Sequence, residues 1–182
     1  MSEMKTARNG VEKCYFLTEL IGARAYCQGK KIGKLTDVIV VDQGKLAEVT
    51  HFQISRPFGN PALLVPQQKA QTLGPRELIV DIEGLQSYVR GLLPGEVPLR
   101  DYLLDKKVLD IEGREVEVVY DIRLAFTGDK VYVSDVDISR YGLLRQLGLR
   151  GLANRLSKRT GDGKKTSFLG PISSRCRPNS AR

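Results

Sequence analysis

Over residues 116–126 the apolar side chains fall on every second position. Val116, Val118, Tyr120, Ile122, Leu124 and Phe126 alternate with mostly polar neighbours, the pattern of a strand with one buried face. Gly128-Asp129 breaks the alternation and Val131-Tyr132-Val133 resumes it, so the segment predicts a hairpin. The same layout occurs earlier in the chain. Gly29 opens it, Ile32 to Val41 forms a strand, Gln43-Gly44 turns, and Val49 to Ile54 returns. The breakers Pro57, Gly59, Asn60 and Pro61 then predict a loop. Apolar runs at 63–65 and 77–80 add two short strands, with Leu73-Gly74-Pro75 between them.

The two hairpins are copies of one another. A shift of 84 residues pairs Gly29 with Gly113, Asp37 with Asp121, Gly44 with Gly128 and Ile54-Ser55-Arg56 with Ile138-Ser139-Arg140, without a gap. One register held over that span marks an internal repeat. About five short strands in roughly 70 residues predict a small closed or half-closed barrel, which hides its edges. A barrel of ~60 residues buries only about 60% of its unfolded surface. The copies are therefore expected to pack on each other or on a partner.

These readings divide the chain into a disordered N-terminus (1–13), a first β-barrel (14–83), a linker with one helical turn (84–103) and a second β unit (104–142). A basic amphipathic helix (143–160) and a disordered or aberrant tail (161–182) follow. The expected class is mainly β: two tandem small barrels, the second lacking a counterpart of the Leu63–Val65 strand. Periodicity is lost after Thr160, and a change of reading frame from about Ser167 would account for that loss.

Charge is distributed unevenly. Of 29 Lys and Arg, 11 lie from Arg140 onward, against a single acid there, Asp162, so the formal net charge of +8 belongs to the tail. The first 139 residues carry 18 basic and 20 acidic groups, a poor surface for phosphate. The helix candidate sets Leu144, Leu147, Leu152 and Leu156 beside Arg145, Arg150, Arg155, Lys158 and Arg159. It suits a linker to a further domain, or a partner-facing surface for anionic lipid or RNA. A single histidine, three cysteines without a Cys-x-x-Cys pair, and the absence of phosphate-loop or nucleophile-elbow motifs point away from an enzyme. No apolar run approaches membrane-spanning length and residues 1–10 are polar, so a soluble, cytoplasmic chain is expected.

The residues Leu20-Ile21-Gly22, then Gln28-Gly29-Lys30-Lys31-Ile32-Gly33-Lys34-Leu35-Thr36-Asp37-Val38, resemble the opening of a PRC-barrel domain. That small β-barrel is found in the photosynthetic reaction-centre H subunit and, more remotely, in the ribosome-maturation factor RimM. Leu104 to Val116, Asp121-Ile122-Arg123-Leu124, Val136-Asp137-Ile138 and Gly142 to Gly148 are similar to the tandem PRC region preceding the cytosolic domains of some MgtE-type magnesium transporters. The resemblance covers roughly residues 15 to 158. It departs from the family at Cys27, where an acidic turn residue is common, and at Gln67, where an aromatic often follows Val-Pro. It implies a non-catalytic interaction or regulatory module of a magnesium-transport system, at the inner face of the membrane, contacting a transporter or itself through barrel edges. The alternative is a RimM-like adaptor for RNA or the ribosome, a fold-level analogy that the near-neutral body disfavours.

Individual residues carry competing readings. Asp135 and Asp137, two apart on a strand, with Glu112 or Asp121 nearby, have the oxygen ligands that Mg²⁺ takes; the ordinary alternative is a solvated strand face. No other cofactor is expected. Gly29, Gly33, Gly44, Gly113 and Gly128 mark turns, and Asp37 and Asp121 are expected to accept backbone hydrogen bonds at a bend. Lys30, Lys31 and Lys34 fit a solvated hairpin or a contact with phosphate or an acidic partner, and His51 fits a surface position or cross-strand packing. Cys14 and Cys27 are expected as small apolar or exposed thiols.

Overall fold

A computed structural model of the chain describes residues 13–42, 47–109, 116–138, 165–167 and 177–178. Gly44, Gly113, Glu112, Cys176 and the basic helix expected at 143–160 lie outside them. In chain order the elements are β1 (Lys13–Phe16), α1 (Leu17–Leu20), β2 (Arg24–Cys27), β3 (Lys30–Asp42), β4 (Ala47–Ser55), β5 (Leu63–Pro66), β6 (Ala70–Leu73), β7 (Glu77–Val80) and β8 (Glu96–Pro98). Then come α2 (Leu99–Leu103), β9 (Lys107–Leu109), β10 (Val116–Val118), β11 (Asp121–Thr127), β12 (Lys130–Asp137), β13 (Lys165–Ser167) and β14 (Arg177–Pro178). The class is mainly β, and the strands curl as a half-barrel.

Both repeats build the same hairpin in the same way. In β3–β4 the register slips between Ile39 and Val40, leaving Thr50 as an extra residue. In β11–β12 it slips between Arg123 and Leu124, leaving Ser134. Thr50 and Ser134 are 84 residues apart, as are Ile39 and Arg123. Thr50 Oγ1 donates to the Ile39 carbonyl at 3.4 Å and Ser134 Oγ to the Arg123 carbonyl at 3.3 Å. A bulge leaves an unpaired residue and bends the strand; here a hydroxyl satisfies the carbonyl beside it in both copies. The β2–β3 turn places Gln28 and Gly29 at φ 49° and 76°, the left-handed pair that matches strand twist.

The repeats meet about an approximate two-fold axis. β4 pairs antiparallel with β12 at Glu48 and Tyr132, which are themselves 84 residues apart, so equivalent positions face each other. Lys130 Nζ lies 3.0 Å from Glu48 Oε1, and Gln67 Nε2 donates to the Asp129 carbonyl at 2.6 Å across the same junction. On one side of the axis, β1 adds to β11 with Phe16 opposite Arg123. On the other, β8 adds to β3 with Pro98 opposite Ile39, the position matching Arg123. Each repeat thus lends its leading strand to the other. The described strands of both copies, apart from the β9–β10 hairpin, form one sheet with the main path β14-β1-β11-β12-β4-β3-β2-β7-β6, from which β13, β5 and β8 branch at β12, β4 and β3.

Three boundaries differ from the sequence reading. Lys13 already belongs to β1, and β1 rests on the second repeat. Residues 84–103 are not a bare linker: β8 and α2 dock on β3 and are the counterpart of β1 and α1. Within the stretch expected to lack order, Lys165–Ser167 pairs antiparallel with β12, the place that β5 takes on β4. Arg177–Pro178 pairs parallel with β1. A single apolar core runs through both repeats, from Leu17, Leu20, Leu35, Phe52 and Leu78 to Leu99, Ile122, Leu124 and Val133, as expected for units too small to stand alone.

Gly33, expected to mark a turn, lies inside β3 instead and sets how tightly that strand wraps over β4. A Cβ there would overlap the Ser55 carbonyl oxygen and come within 2.8 Å of Ile54 Cγ2. At the matching position of the second repeat stands Glu117, and there β10 pairs only with β9, off the main sheet. Gly33→Ala is expected to lower unfolding free energy by about 1–3 kcal/mol, the usual cost of overpacking. Gly74→Ala, with open space around it, should stay within ~0.5 kcal/mol. Urea midpoints of the two variants decide this.

Candidate functional site

The helical turns α1 and α2 begin at residues that cannot cap them. Phe16 and Pro98 occupy the N-cap positions and carry no side-chain acceptor, although the first N–H groups of a helix need one. The acceptor arrives from the other repeat. Asp121 Oδ1 accepts from Thr18 N at 3.2 Å and Ile122 N at 2.9 Å, and Oδ2 accepts from the Thr18 hydroxyl at 2.6 Å. Asp37 Oδ1 accepts from Arg100 N at 2.8 Å and Val38 N at 2.7 Å, and Oδ2 accepts from Asp101 N at 3.1 Å. Both carboxylates are buried. Burial is the main influence on Asp37 and raises its pKa, the three backbone N–H groups oppose that, and neighbouring Asp101 raises it further.

The turns are equivalent in detail. Leu17 and Leu99 start them, 0% and 1% exposed, and Glu19 and Asp101 hold the third helical position. Glu19 reaches back to Phe16 N at 3.0 Å; Pro98 has no N–H to satisfy. Immediately after, Gly22 and Asp105 adopt φ 90° and 62°, and Leu35 and Val119 bond back to the chain beside them. On the β1 side, Tyr15 meets Phe126 edge to face at 5.6 Å, and the Arg123 guanidinium lies 5.0 Å from the centre of the Phe16 ring.

Between the turns lies a cleft of about 450 Å³ lined by Thr18 and Ile21 from one repeat and Arg100, Asp101, Leu104, Asp105 and Lys106 from the other. Its two acids and two bases balance in charge. The Thr18 hydroxyl is committed to Asp121, and none of the lining residues is a histidine or cysteine.

The sequence-selected residues are placed as follows. Asp135 and Asp137 are 2% and 4% exposed, so the solvated strand face is ruled out. Asp135 faces Arg123 across the hairpin, with Nη1 to Oδ2 at 3.6 Å, and accepts from Ser134 Oγ at 3.0 Å. Asp137 stands opposite Asp121. Among the described residues no group of three potential metal ligands gathers. Lys30, Lys31 and Lys34 are exposed, Gly128 takes φ 63° in its turn, and Cys27 is a buried free thiol. Cys14, expected as a thiol, is disulfide-bonded. No helix among the described residues is long and apolar enough to cross a membrane. Compared with known proteins, the chain matches no family model and no curated sequence.

His51, expected in plain cross-strand packing, joins a polar cluster that sequence reasoning missed. Arg90 donates to both oxygens of Glu96 at 2.7 Å, and Glu96 also accepts from Leu93 N at 2.8 Å. Arg90 Nη2 lies 3.0 Å from His51 Nε2, which must accept, since a guanidinium has no acceptor. The imidazole proton then sits on Nδ1, 3.1 Å from Thr50 Oγ1. The Arg90 hydrogen bonds hold the Glu96 carboxyl at about 2. Burial, with Arg90 adding to it, pushes His51 below its ordinary 6.5, against a weaker pull from Glu96. The unfolded chain therefore binds the His51 proton more readily, and stability falls as pH drops below 6.5. The Tm of the wild type is expected to decrease between pH 7 and 5, where Glu96 stays ionised, and His51→Gln should flatten that step. A slope unchanged in the variant would count against this assignment.

Proposed function

We propose that the chain is a non-catalytic interaction module of the PRC-barrel type, its two repeats forming a tandem pair that works beside a membrane magnesium transporter on the cytoplasmic side. The observation that carries this reading is the repeat itself. Gly33 and Asp37 are sequence positions on which the PRC resemblance rests, although both lie inside β3, and Asp121 repeats the role of Asp37. The transporter connection rests on the likeness of residues 104–148 to the tandem PRC region of MgtE-type proteins.

In this reading the module works through protein contact, and ion binding is secondary. Asp135 is engaged by Arg123 and Ser134, and Asp121 by Thr18, so Mg²⁺ would have to displace existing partners. The surface offered to a partner consists of sheet edges and the charge-balanced cleft between α1 and α2. The test is size-exclusion chromatography with light scattering of the full chain mixed with the purified cytosolic region of an MgtE-type transporter, in millimolar Mg²⁺ and in chelator. A stoichiometric complex is expected in at least one condition. Independent elution in both would overturn the transport connection and leave the fold reading untouched.

A further inference from the structure

The leading segments of the two repeats are held by one kind of site used twice. Each site has an open strand edge, at residues 123–126 or 39–41, a buried aspartate at the start of that strand or just before the edge, and an apolar hole that takes a leucine. Each occupant is an extended stretch followed by leucine, any residue, and an acid: Phe16-Leu17-Thr18-Glu19 and Pro98-Leu99-Arg100-Asp101. The residues before the turn differ, Cys14-Tyr15 against Glu96-Val97, so what the sites share is backbone pairing, the leucine and the turn N–H groups that the aspartate caps. This is strand addition with a helical-turn anchor.

We propose that the Asp121 site accepts this segment in trans, from a second copy of the chain, so that two molecules exchange residues 13–20 and form a dimer. The first leader is the one placed to exchange. Residues 13–20 rest on β11 of the second repeat, whereas the chain from Ala23 onward bonds to β3 and β7 of the first. The handover falls at Ile21-Gly22, where Gly22 takes φ 90° and donates to the Leu35 carbonyl at 2.8 Å, and where one backbone bond, Ala23 N to the Leu20 carbonyl at 3.0 Å, spans the step. The second leader is clamped instead, through the Arg90–Glu96 pair beside it. Exchange preserves each strand pairing, the Asp121 cap and the buried Leu17; it gives up the Ala23–Leu20 bond at the handover and association entropy, and concentration decides the outcome. Cys14 is disulfide-bonded, so exchange is tested in reductant, where that bond does not restrict β1. The inference rests on the fold alone and is independent of the transporter connection.

The test uses the full chain and a dye-labelled peptide of residues 11–22, both in reductant. Wild-type protein refolded at high concentration should give a dimer by light scattering that dilution does not dissolve within hours. The peptide should bind the full chain carrying Leu17→Asp and raise its Tm by several degrees, and adding Asp121→Ala should weaken that binding at least tenfold. If Leu17→Asp does not fold alone, peptide present during refolding should restore a cooperative melt. A monomer at every concentration, no peptide binding or rescue, or binding indifferent to Asp121→Ala would each overturn the proposal.

Discussion

Asp37 and Asp121 place their carboxylates against the backbone N–H groups of a helical turn that belongs to the other repeat. A buried carboxylate is costly unless hydrogen bonds replace its water, and each here accepts three. The turns in turn have no acceptor of their own at Phe16 or Pro98. Neither half of either arrangement is satisfied without its counterpart. Removing one carboxylate would strand several buried donors, and each unsatisfied group costs on the order of 1–3 kcal/mol. The relative placement of the repeats follows from this constraint more than from their apolar faces, which are non-directional.

From that exchange the rest of the architecture follows. Two units of one chain take up the geometry of an isologous dimer, in which equivalent residues meet at the axis and each partner contributes the same segment to the other. Glu48 and Tyr132 mark the axis, and the leaders β1 and β8 extend the sheet outward on both sides. The core becomes common property, with Leu17 and Leu99 inserted from opposite ends. The asymmetries are local. Gly33 lets β3 wrap closely over Ser55 where the second repeat has Glu117, and the His51–Arg90–Glu96 cluster beside β8 has Asp135 and Cys14 at the matching positions beside β1.

The hairpin strands, the Gly29 and Gly128 turns and the repeat were legible in the sequence because one offset, 84, holds from Gly29 to Arg56. The leaders were not, because the offset slips there. Leu17 and Leu99 differ by 82, Gly22 and Asp105 by 83, and only from the strands onward does 84 return. Two single-residue steps were enough to make β8 and α2 read as a linker. The recurring leucine, any residue, acid signature was available, but three positions are a weak signal. The burial of Asp135 and Asp137 was hidden for a different reason: alternation indicates which residues share a face, and a neighbouring strand decides whether that face is wet. His51 found Arg90 and Glu96 through a turn 39 residues away, a contact that no local pattern encodes.

Native-state hydrogen exchange on Asp37→Ala tests the mutual capping most directly, because the cap and the capped turn lie in different repeats. The account predicts that protection falls most at Arg100, Asp101 and the rest of α2, some 63 residues from the substitution, while the β2–β3 pairing around it stays protected. Loss confined to Val38 and its neighbours on β3, with α2 exchanging as in the wild type, would contradict it.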